Sequence, residues 1–404
     1  MKFSYTAINK EGKKYTAFLE AQNKSAFFEE FKKTGDVLVN VQEAKNAGGF
    51  SLSMNITFLE RVKMLDKITF ARNLGNMIEA GLALSRALTV AERQTQNPKL
   101  KRTYKALNES IAAGKSFHEA LEQHPKIFSN LFVAMVKVGE EGGNLAETLK
   151  QVANQMEKSF MLQKKIKGAM MYPSVIIGVM VIIAILMMMF VVPGLTKTFK
   201  ELNVPLPTST KIVIAVSDFA SNHYIATFAI MIAAIVSFIA MARTRWGKRG
   251  IDYVTLKLPV IGTILKEGNS AQTARTLSSL LSSGVDLLLA VKITGDVLQN
   301  SYYKELMKKS ESVVEKGEPL SNVFIANEKL YPVFVGEMMS VGEETGRMAA
   351  MLTGIATFYE NEVEQKTKDL STIIEPILMV FIGGSVGFFA ISMIKPIYSI
   401  MNNV

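Results

Sequence analysis

The chain of 404 residues is long enough for two or three domains that each bury a core. Its 49% hydrophobic and 20% charged residues, with a mean hydropathy of +0.20, exclude an ordinary soluble protein and favour membrane segments alternating with soluble domains. The absence of cysteine excludes disulfides and cysteine-based metal sites, and the net charge of +10 has two explanations, nucleic-acid binding or basic flanks of membrane helices.

The first 44 residues (1–44) predict a small α+β module. The segments KFSYTAI and KKYTAFLEA alternate apolar and polar residues around Asn-Lys-Glu-Gly, a pattern typical of a β-hairpin. NKSAFFEEFKKTG predicts a helix closed by Gly35, and VLVNVQEA predicts a third strand. Because the N-terminus has no apolar run of signal-peptide length, we expect it in the cytoplasm. Residues 45–64, which begin KNAGGFSLSMN, are expected to form a linker.

Residues 65–167 predict a first helical domain. The segment at 70–91 has apolar residues at the spacing of three to four that is typical of an amphipathic helix. Gly81 interrupts this stripe, at a turn or at a close helix crossing. The stripe consists of Leu74, Met77, Ile78 and Leu82. Further helices are expected at 100–113, in SFHEALEQH, at 129–138, and from 144 to the membrane.

Three apolar stretches reach the length of about 20 residues that a transmembrane helix needs. The first two contain no charged residue, and the third has only Glu375 near its start. Uncharged runs of this length favour membrane spans over buried core helices. The predicted spans are residues 171–192, 225–242 and 373–394.

Lysine and arginine set the expected orientation of the spans. Basic residues cluster before the first span, after the second and before the third, whereas the loop at 193–222 has three lysines offset by two acids. We therefore expect 65–167 and a second helical domain at 243–370 to be cytoplasmic, with the loop and the tail at 395–404 on the opposite side. These flanks explain much of the basic excess, which weakens the nucleic-acid interpretation. The clustered residues are Lys158, Lys164, Lys165, Lys167, Arg243, Arg245, Lys248, Arg249, Lys366 and Lys368.

The chain repeats itself at a constant offset of 203 residues, as from Gly139 to Gly342. Each unit is a helical domain followed by one membrane helix, and the span at 225–242 returns the chain to its first side. We therefore predict a mainly α, polytopic membrane protein with two homologous cytoplasmic helical bundles, three transmembrane helices and the small N-terminal α+β module. Other repeated pairs are Arg72/Arg275, Leu74/Leu277, Gly81/Gly284, Ala87/Ala290, Asn97/Asn300, Gly114/Gly317, Pro173/Pro376 and Pro193/Pro396.

One repeated motif places two glutamates between glycines, as VGEEGGNL at 138–145 and VGEETGRM at 341–348. Adjacent glutamates on a helix project about 100° apart, so a weak calcium or magnesium site would need other oxygens as well. A catalytic pair lacks a neighbouring histidine, nucleophile or oxyanion donor. We expect the glycines to end one helix and open the next, and the glutamates to form interhelical hydrogen bonds or a docking surface. The residues concerned are Gly139, Glu140, Glu141, Gly143, Gly342, Glu343, Glu344 and Gly346.

A second motif, AGKS at 113–116, contains the Gly-Lys-Ser that ends the sequence pattern of a phosphate-binding loop. The first glycine of such a loop would fall at Glu109, and no strand precedes it. The second repeat has Lys316-Gly317-Glu318-Pro319 at the same positions, without the lysine and hydroxyl that follow the glycine. We therefore expect a helix–helix turn rather than a nucleotide site.

Three residues stand where the chain enters the membrane. Pro173 and Pro376 are expected to begin their helices, where proline costs little. Glu375 is costly near a span unless it is paired, protonated or in contact with water, and the cytoplasmic interface offers the last. Gly383 and Gly387, one turn apart, could form a close helix contact.

Together these motifs resemble the inner-membrane platform proteins of type II secretion and type IV pilus systems (the GspF/PilC family). The resemblance covers essentially the whole chain, from FARNLGNMIEAGLALSRAL and its copy TARTLSSLLSSGVDLLLAV to MMYPS and IIEPI. It implies that the Gly-Glu motifs are family-characteristic cytoplasmic residues. It also implies that Pro173, Glu375 and Pro376 are characteristic of the entrance to the membrane, and that 193–222 and 395–404 are periplasmic.

The resemblance further implies a non-enzymatic platform in the bacterial inner membrane. Its partners would be a hexameric cytoplasmic assembly ATPase, pilin or pseudopilin subunits, other inner-membrane components, the lipid bilayer and further copies of itself, with no direct nucleic-acid contact. No cofactor, catalytic residue or metal site is expected, apart from the weak cation site at the acidic pairs. The rivals are a transporter or channel subunit, for which nearly apolar spans make a poor substrate path, and a membrane-anchored metal-dependent enzyme, which lacks supporting ligands.

Overall fold

The computed structural model describes residues 2–8, 14–21, 23–32, 34–44, 62–201 and 208–401. The chain divides into two compact units, Met1–Arg61 and Val62–Val404. The predicted hairpin turn at 9–12 and nearly all of the predicted linker at 45–64 lie outside the described residues.

The first unit is a three-stranded antiparallel sheet with one helix, as the sequence predicts. Its first strand lies in the middle and pairs with the other two. The helix begins after Asn23, whose side-chain oxygen accepts a hydrogen bond from the amide of Ala26 at 2.8 Å. Aromatic rings of the helix and the central strand build the core, which consists of Tyr5, Ala7, Ala21, Phe27 and Phe31. The elements are β1 (Lys2–Ile8), β2 (Lys14–Glu20), α1 (Lys24–Lys32) and β3 (Val37–Ala44).

Six helices build the first repeat, and local chemistry sets several of their ends. The side chain of Asn97 accepts hydrogen bonds from two amides at the start of one helix, directly before Pro98. Ser116 and Glu119 form a reciprocal capping box at the start of another. The helices are α2 (Met64–Glu79), α3 (Leu84–Gln94), α4 (Pro98–Ala112), α5 (Phe117–Glu122), α6 (Asn130–Glu141) and α7 (Leu145–Ala169).

The predicted amphipathic run at 70–91 is two helices. Gly81 has φ +88°, a left-handed conformation that favours glycine, and the chain turns there between α2 and α3. Leu74 is buried as predicted, but Leu82 lies in the turn and is exposed. Assigning Leu82 to the apolar stripe was therefore wrong, because the helical period stops at the glycine.

Among the residues that the structure describes, three helical stretches are long and apolar enough to cross a membrane: Leu145–Lys197, Tyr224–Arg243 and Met348–Gly387. The first contains α7 and continues past a break at Met170. The elements that follow α7 are α8 (Met171–Leu186), a π-helical turn (Met187–Val191), α9 (Val192–Glu201), α10 (Thr208–Asn222), α11 (Tyr224–Arg243) and α12 (Arg245–Lys257).

The segment predicted as a loop at 193–222 is largely helical, since it contains most of α9 and all of α10. A small apolar cluster of Val192, Val213 and Ile214 holds these helices together. The hydroxyl of Ser217 donates a hydrogen bond to the carbonyl of Met188 at 2.6 Å, within the π-helical turn. The one short apolar run that the sequence shows here, at 212–216, lies within α10 and contributes Val213 and Ile214 to this cluster.

The second repeat reproduces the helices of the first at the offset of 203. For example, the helix that begins at Ser321 corresponds to α5, which begins at Phe117. The two starting positions differ by one residue once the offset is applied. Other helices begin and end at equivalent residues, such as Leu84 and Leu287. The helices are α13 (Ile261–Ser282), α14 (Leu287–Val297), α15 (Ser301–Glu315), α16 (Ser321–Ile325), α17 (Val333–Glu344) and α18 (Met348–Met401).

The two prolines at the membrane are not equivalent. Pro173 lies in the first turn of α8, just after the break, whereas Pro376 lies in the interior of the uninterrupted helix α18. The prediction that Pro376 begins a helix was therefore wrong. Proline removes one backbone hydrogen bond in a helix interior, and membrane helices tolerate this loss where neighbouring groups satisfy the freed carbonyl.

One continuous hydrophobic core joins the two repeats. α13 is buried along most of its length, because it packs against α18 of its own repeat and α7 of the first. Gln155 of α7 is buried, and its side-chain amide donates a hydrogen bond to Thr276 of α13 at 3.3 Å. The Val62–Val404 unit therefore contains two homologous domains with a shared, partly polar interface.

Candidate docking surface at the two Gly-Glu motifs

The first glutamate of the first motif caps a helix of its own domain. The carboxylate of Glu140, on α6, accepts hydrogen bonds from the amides of Phe117 and His118 at 2.6 and 3.0 Å, at the start of α5. It also lies 2.7 Å from Nδ1 of His118. Burial alone would raise the pKa of Glu140, but the hydrogen bonds from His118 and Phe117 outweigh it and hold that pKa below its ordinary value.

The first glutamate of the second motif makes the same contact. Glu343, on α17, accepts hydrogen bonds from the amides of Leu320 and Ser321 at 2.6 and 3.2 Å. Its carboxylate also accepts a hydrogen bond from the hydroxyl of Ser321, in the place where the first repeat has histidine. Both carboxylates are therefore interhelical hydrogen-bond acceptors, one of the two roles that the sequence left open.

The glycines of the motif have two different functions. Gly139 lies inside α6, where an added Cβ would come within 2.5 Å of the Cβ of Thr148 on α7, and Gly342 packs in the same way against Met348. The prediction that Gly139 ends a helix was therefore wrong, because its missing side chain allows two helices to pack closely. Gly143 and Gly346 make the turns, with φ +71° and +67°.

The second glutamate of each pair points to solvent. The side chain of Glu141 is 61% exposed and lies 4.0 Å from Lys137 one turn earlier on α6. Glu344 is exposed as well, and its carboxylate accepts a hydrogen bond from the hydroxyl of Ser340 at 3.2 Å. Adjacent residues on a helix project in different directions, so each motif offers one partly buried acid and one exposed acid, which we call the free acid of the motif.

Glu141 borders a cleft between the two domains. The cleft has a volume of about 460 Å³ and lies between α6 and α14. Both signs of charge surround it, since Lys137, Lys292 and Asp296 also line it. Such a rim of exposed charges beside an open cleft suits recognition of a protein surface more than enclosure of a small molecule.

The remaining candidate residues lie in turns and on helix surfaces. In the part of the chain that the structure describes, no three histidine, cysteine, aspartate or glutamate side chains converge as a metal site would need. The AGKS motif forms the turn between α4 and α5, where Gly114 has φ +85° and the hydroxyl of Ser116 caps α5. Glu375 and Pro376 are exposed on α18, and Pro173 is buried at the start of α8.

The two repeats also share an ion pair that the sequence did not predict. Nε and an Nη of Arg275 donate two hydrogen bonds to Glu360 at 2.8 and 2.7 Å, and the same guanidinium reaches Thr357. The equivalent pair in the first repeat, Arg72 and Glu157, is joined at 2.6 Å. The repeat of Arg72 as Arg275 was apparent, and the same offset relates the two glutamates. An arginine and a glutamate that both recur at the offset of 203 are the sequence signal for this pair.

These observations define a multi-pass membrane protein built from a duplicated helical domain, each copy carrying the same internal contacts. A family model described as "Type II secretion system (T2SS), protein F" matches residues 70–193 and again 273–396, at the same offset of 203 as the internal repeat. The chain therefore belongs to the type II secretion system protein F family.

Similar proteins cover nearly the whole chain. A "Type IV pilus assembly protein PilC" from Thermus thermophilus is 33% identical over 100% of this chain and 98% of the relative. Another PilC, from Myxococcus xanthus, is 32% identical over 98% of this chain and 94% of that protein. A "Type II secretion system protein F" from Vibrio cholerae is 27% identical over 100% of this chain and 98% of its own length.

Replacing Glu140 by glutamine is expected to lower the free energy of unfolding by about 1 kcal/mol at neutral pH, because one of the two capped amides loses its acceptor. Glu141→Gln, one residue further along α6, is the matched control and is expected to change stability by less than about 0.5 kcal/mol. Thermal unfolding of the detergent-solubilised protein measures both.

The stability that Glu140→Gln loses should depend on pH, since the pKa of Glu140 is lower in the folded protein than in the unfolded chain. A carboxylate whose pKa is lowered by folding stabilises the folded protein fully at pH values above its pKa in the unfolded chain. This contribution to the free energy of unfolding is lost as the pH falls through the pKa of the carboxylate in the folded protein. The difference in Tm between the wild type and Glu140→Gln should therefore shrink in acid. A difference that persisted unchanged in acid would contradict the cap.

Proposed function

We propose that this protein is a non-enzymatic platform in the bacterial inner membrane, part of a machine that assembles a pilus or a secretion pseudopilus. It docks a hexameric cytoplasmic assembly ATPase and couples the motion of that ATPase to extraction and assembly of pilin or pseudopilin subunits. The observation that carries the proposal is membership of the protein F family in both repeats, together with the pilus-assembly and secretion names of relatives that span the whole chain.

The basic residues support an orientation for this platform. Lys164, Lys165 and Lys167 precede the first span, and Arg243 and Arg245 follow the second. By the positive-inside rule these residues lie in the cytoplasm. The N-terminal module and both helical domains are then cytoplasmic, while the helical segment at 193–222 and the C-terminal tail lie in the periplasm.

The free acids of the two motifs are the proposed contact with the ATPase. Glu140 and Glu343 are already occupied by amides of their own domains, so they shape the surface without reaching a partner. Glu141 and Glu344 are exposed and free to pair with basic side chains of a docked protein. Pilin subunits, other inner-membrane components and further copies of the platform complete the partners, with no direct contact to nucleic acid.

Binding of the assembly ATPase to proteoliposomes that contain the purified protein tests the proposal. We expect the ATPase to co-sediment with loaded vesicles and not with empty vesicles of the same lipids, and binding should weaken as salt is raised. Equal sedimentation with both vesicles would contradict the proposal. Solute flux through the same loaded vesicles would instead indicate a transporter.

A further inference from the structure

The two helical domains pack against each other through two different surfaces. α6 and α7 of the first domain contact α13 and α14 of the second. Within this interface Ser283 donates a hydrogen bond to the side chain of Gln151 at 3.0 Å, and Ser279 donates one to Gln155 at 2.8 Å. α7 also contacts α18, its own counterpart in the second repeat. The contacts of α6 and α7 with α13 and α14 are heterologous, since they join the last helices of one repeat to the first helices of the other.

Because the two domains are homologous, each carries counterparts of both surfaces. Within one chain, the second domain leaves its counterpart of the α6–α7 side uncovered, and the first domain leaves its counterpart of the α13–α14 side uncovered. We call the residues equivalent to the covered side of α6 and α7 the α17–α18 surface, and those equivalent to the covered side of α13 and α14 the α2–α3 surface. All residues of the two open surfaces named below are exposed. The α17–α18 surface comprises Glu337, Val341, Gly354 and Phe358, and the α2–α3 surface comprises Asn76, Ala80, Gly81 and Arg86.

We propose that a second copy of this chain binds here, so that the α17–α18 surface of one copy packs on the α2–α3 surface of the next in the way that the first domain packs on the second within one chain. A heterologous contact that repeats in this way generates a ring or an open array. Self-association is part of the proposed function, on which this inference rests, and the surfaces that mediate it are the new element.

The chemistry of the open surfaces suits this partner. Phe358, equivalent to the buried Gln155, is 48% exposed, and Val341 is 45% exposed, so both offer apolar area that a second copy could cover. In the intrachain interface Val138 lies against Gly284, and the equivalents are Val341 and Gly81. An added Cβ at Gly81 would meet nothing within 4 Å, so the valine of a second copy has room there.

Charge complementarity points to the same pairing. Ala134 of α6 and Leu289 of α14 line the cleft between the two domains together. Their equivalents on the open surfaces are Glu337 and Arg86, which carry opposite charges and are exposed. The pair of apolar residues at the cleft within the chain would therefore correspond to a pair of opposite charges between chains, which favours this register over others.

The membrane spans are compatible with such an array. α7 and α18 each continue into a span, and Lys165 and Glu364 join them at 2.5 Å shortly before the membrane. α7 and α18 therefore lie side by side where they lead into their spans. A second copy added by the same operation would place its own α7 beside α18 in the same way.

Site-directed cross-linking tests the inference. Because the chain contains no cysteine, the introduced cysteines are the only thiols in the protein. Ala80→Cys and Gly354→Cys are placed in two copies with different tags, co-expressed, and treated in membranes with a short bismaleimide. Both sites are exposed, and an added Cβ at Gly354 meets nothing within 4 Å, so both variants should fold. We expect a covalent dimer that carries both tags.

Two control pairs make the outcome decisive. Gln151→Cys with Ser283→Cys in one copy should cross-link within the chain, because those side chains are hydrogen-bonded. Lys101→Cys, exposed on α4, should give no dimer with Gly354→Cys. A dimer yield equal to that of the Lys101 pair, or Ala80→Cys copies that cross-link mainly to each other, would overturn the inference. ATPase binding to the same membranes reports separately on the proposed function.

Charge exchange supplies an independent measurement. Arg86→Glu should reduce the yield of the Ala80–Gly354 dimer, and pairing it with Glu337→Arg in the other copy should restore it. Loss without restoration would contradict the proposed register, whereas an unchanged yield in both would show that these charges do not meet.

Discussion

Arg275→Ala is expected to lower the free energy of unfolding by about 3–5 kcal/mol, because it leaves the carboxylate of Glu360 without its partner in the core of the second domain. The arginine side chain is 9% exposed and the glutamate 20%, and two hydrogen bonds join them. The arginine also contacts Thr357 one turn before the glutamate. Thermal unfolding in detergent should show a large fall in Tm.

The equivalent pair in the first domain provides the control. Arg72 and Glu157 are 40% and 38% exposed, so water can replace the lost partner, and Arg72→Ala should cost no more than about 1 kcal/mol. Equal losses for the two variants would contradict the assignment of the difference to burial. Replacing Arg275 and Glu360 together by apolar residues should recover much of the stability that the single change loses.

Gly139→Ala is expected to destabilise the first domain by about 1–3 kcal/mol, because the new Cβ would force α6 and α7 apart. It would lie 2.5 Å from the Cβ of Thr148 and 2.9 Å from its Cγ2, well inside contact distance. The same measurement of Tm applies. Limited proteolysis should also cut near the turn between the two helices sooner than in the wild type.

Gly354→Ala is the control for this change. Gly354 also lies within a helix, α18, but an added Cβ there meets nothing within 4 Å. Alanine has the higher helix propensity, so this variant should be as stable as the wild type or slightly more stable. If Gly139→Ala behaved in the same way, the close approach of α6 and α7 would not explain the glycine.

Much of the fold follows from local signals in the sequence. Helix caps at Asn97 and Ser116 and the turn glycine Gly114 act within a few residues of the elements they delimit, so pattern reasoning locates those elements. The repeat added an independent check, since a feature present at both positions is unlikely to be accidental. The membrane spans follow from length and apolarity alone.

Several other features depend on parts of the structure that the local sequence does not show. Gly139 was assigned to a turn because the sequence does not show that Thr148 approaches it. The role of Glu140 depends on amides 22 and 23 residues away. Pro376 is in a helix interior although its counterpart Pro173 follows a break, and the two local sequences do not distinguish these cases.

The most direct test of the central claim is the affinity of the assembly ATPase for platform proteoliposomes that carry Glu141→Lys and Glu344→Lys, with both capping glutamates intact. A variant with reversed charge at another exposed acid, Glu109→Lys on α4, is the control. We predict that the double reversal weakens binding strongly while insertion and Tm stay at wild-type values, and that the control binds normally. Wild-type affinity in the double reversal would contradict docking through the free acids of the two Gly-Glu motifs.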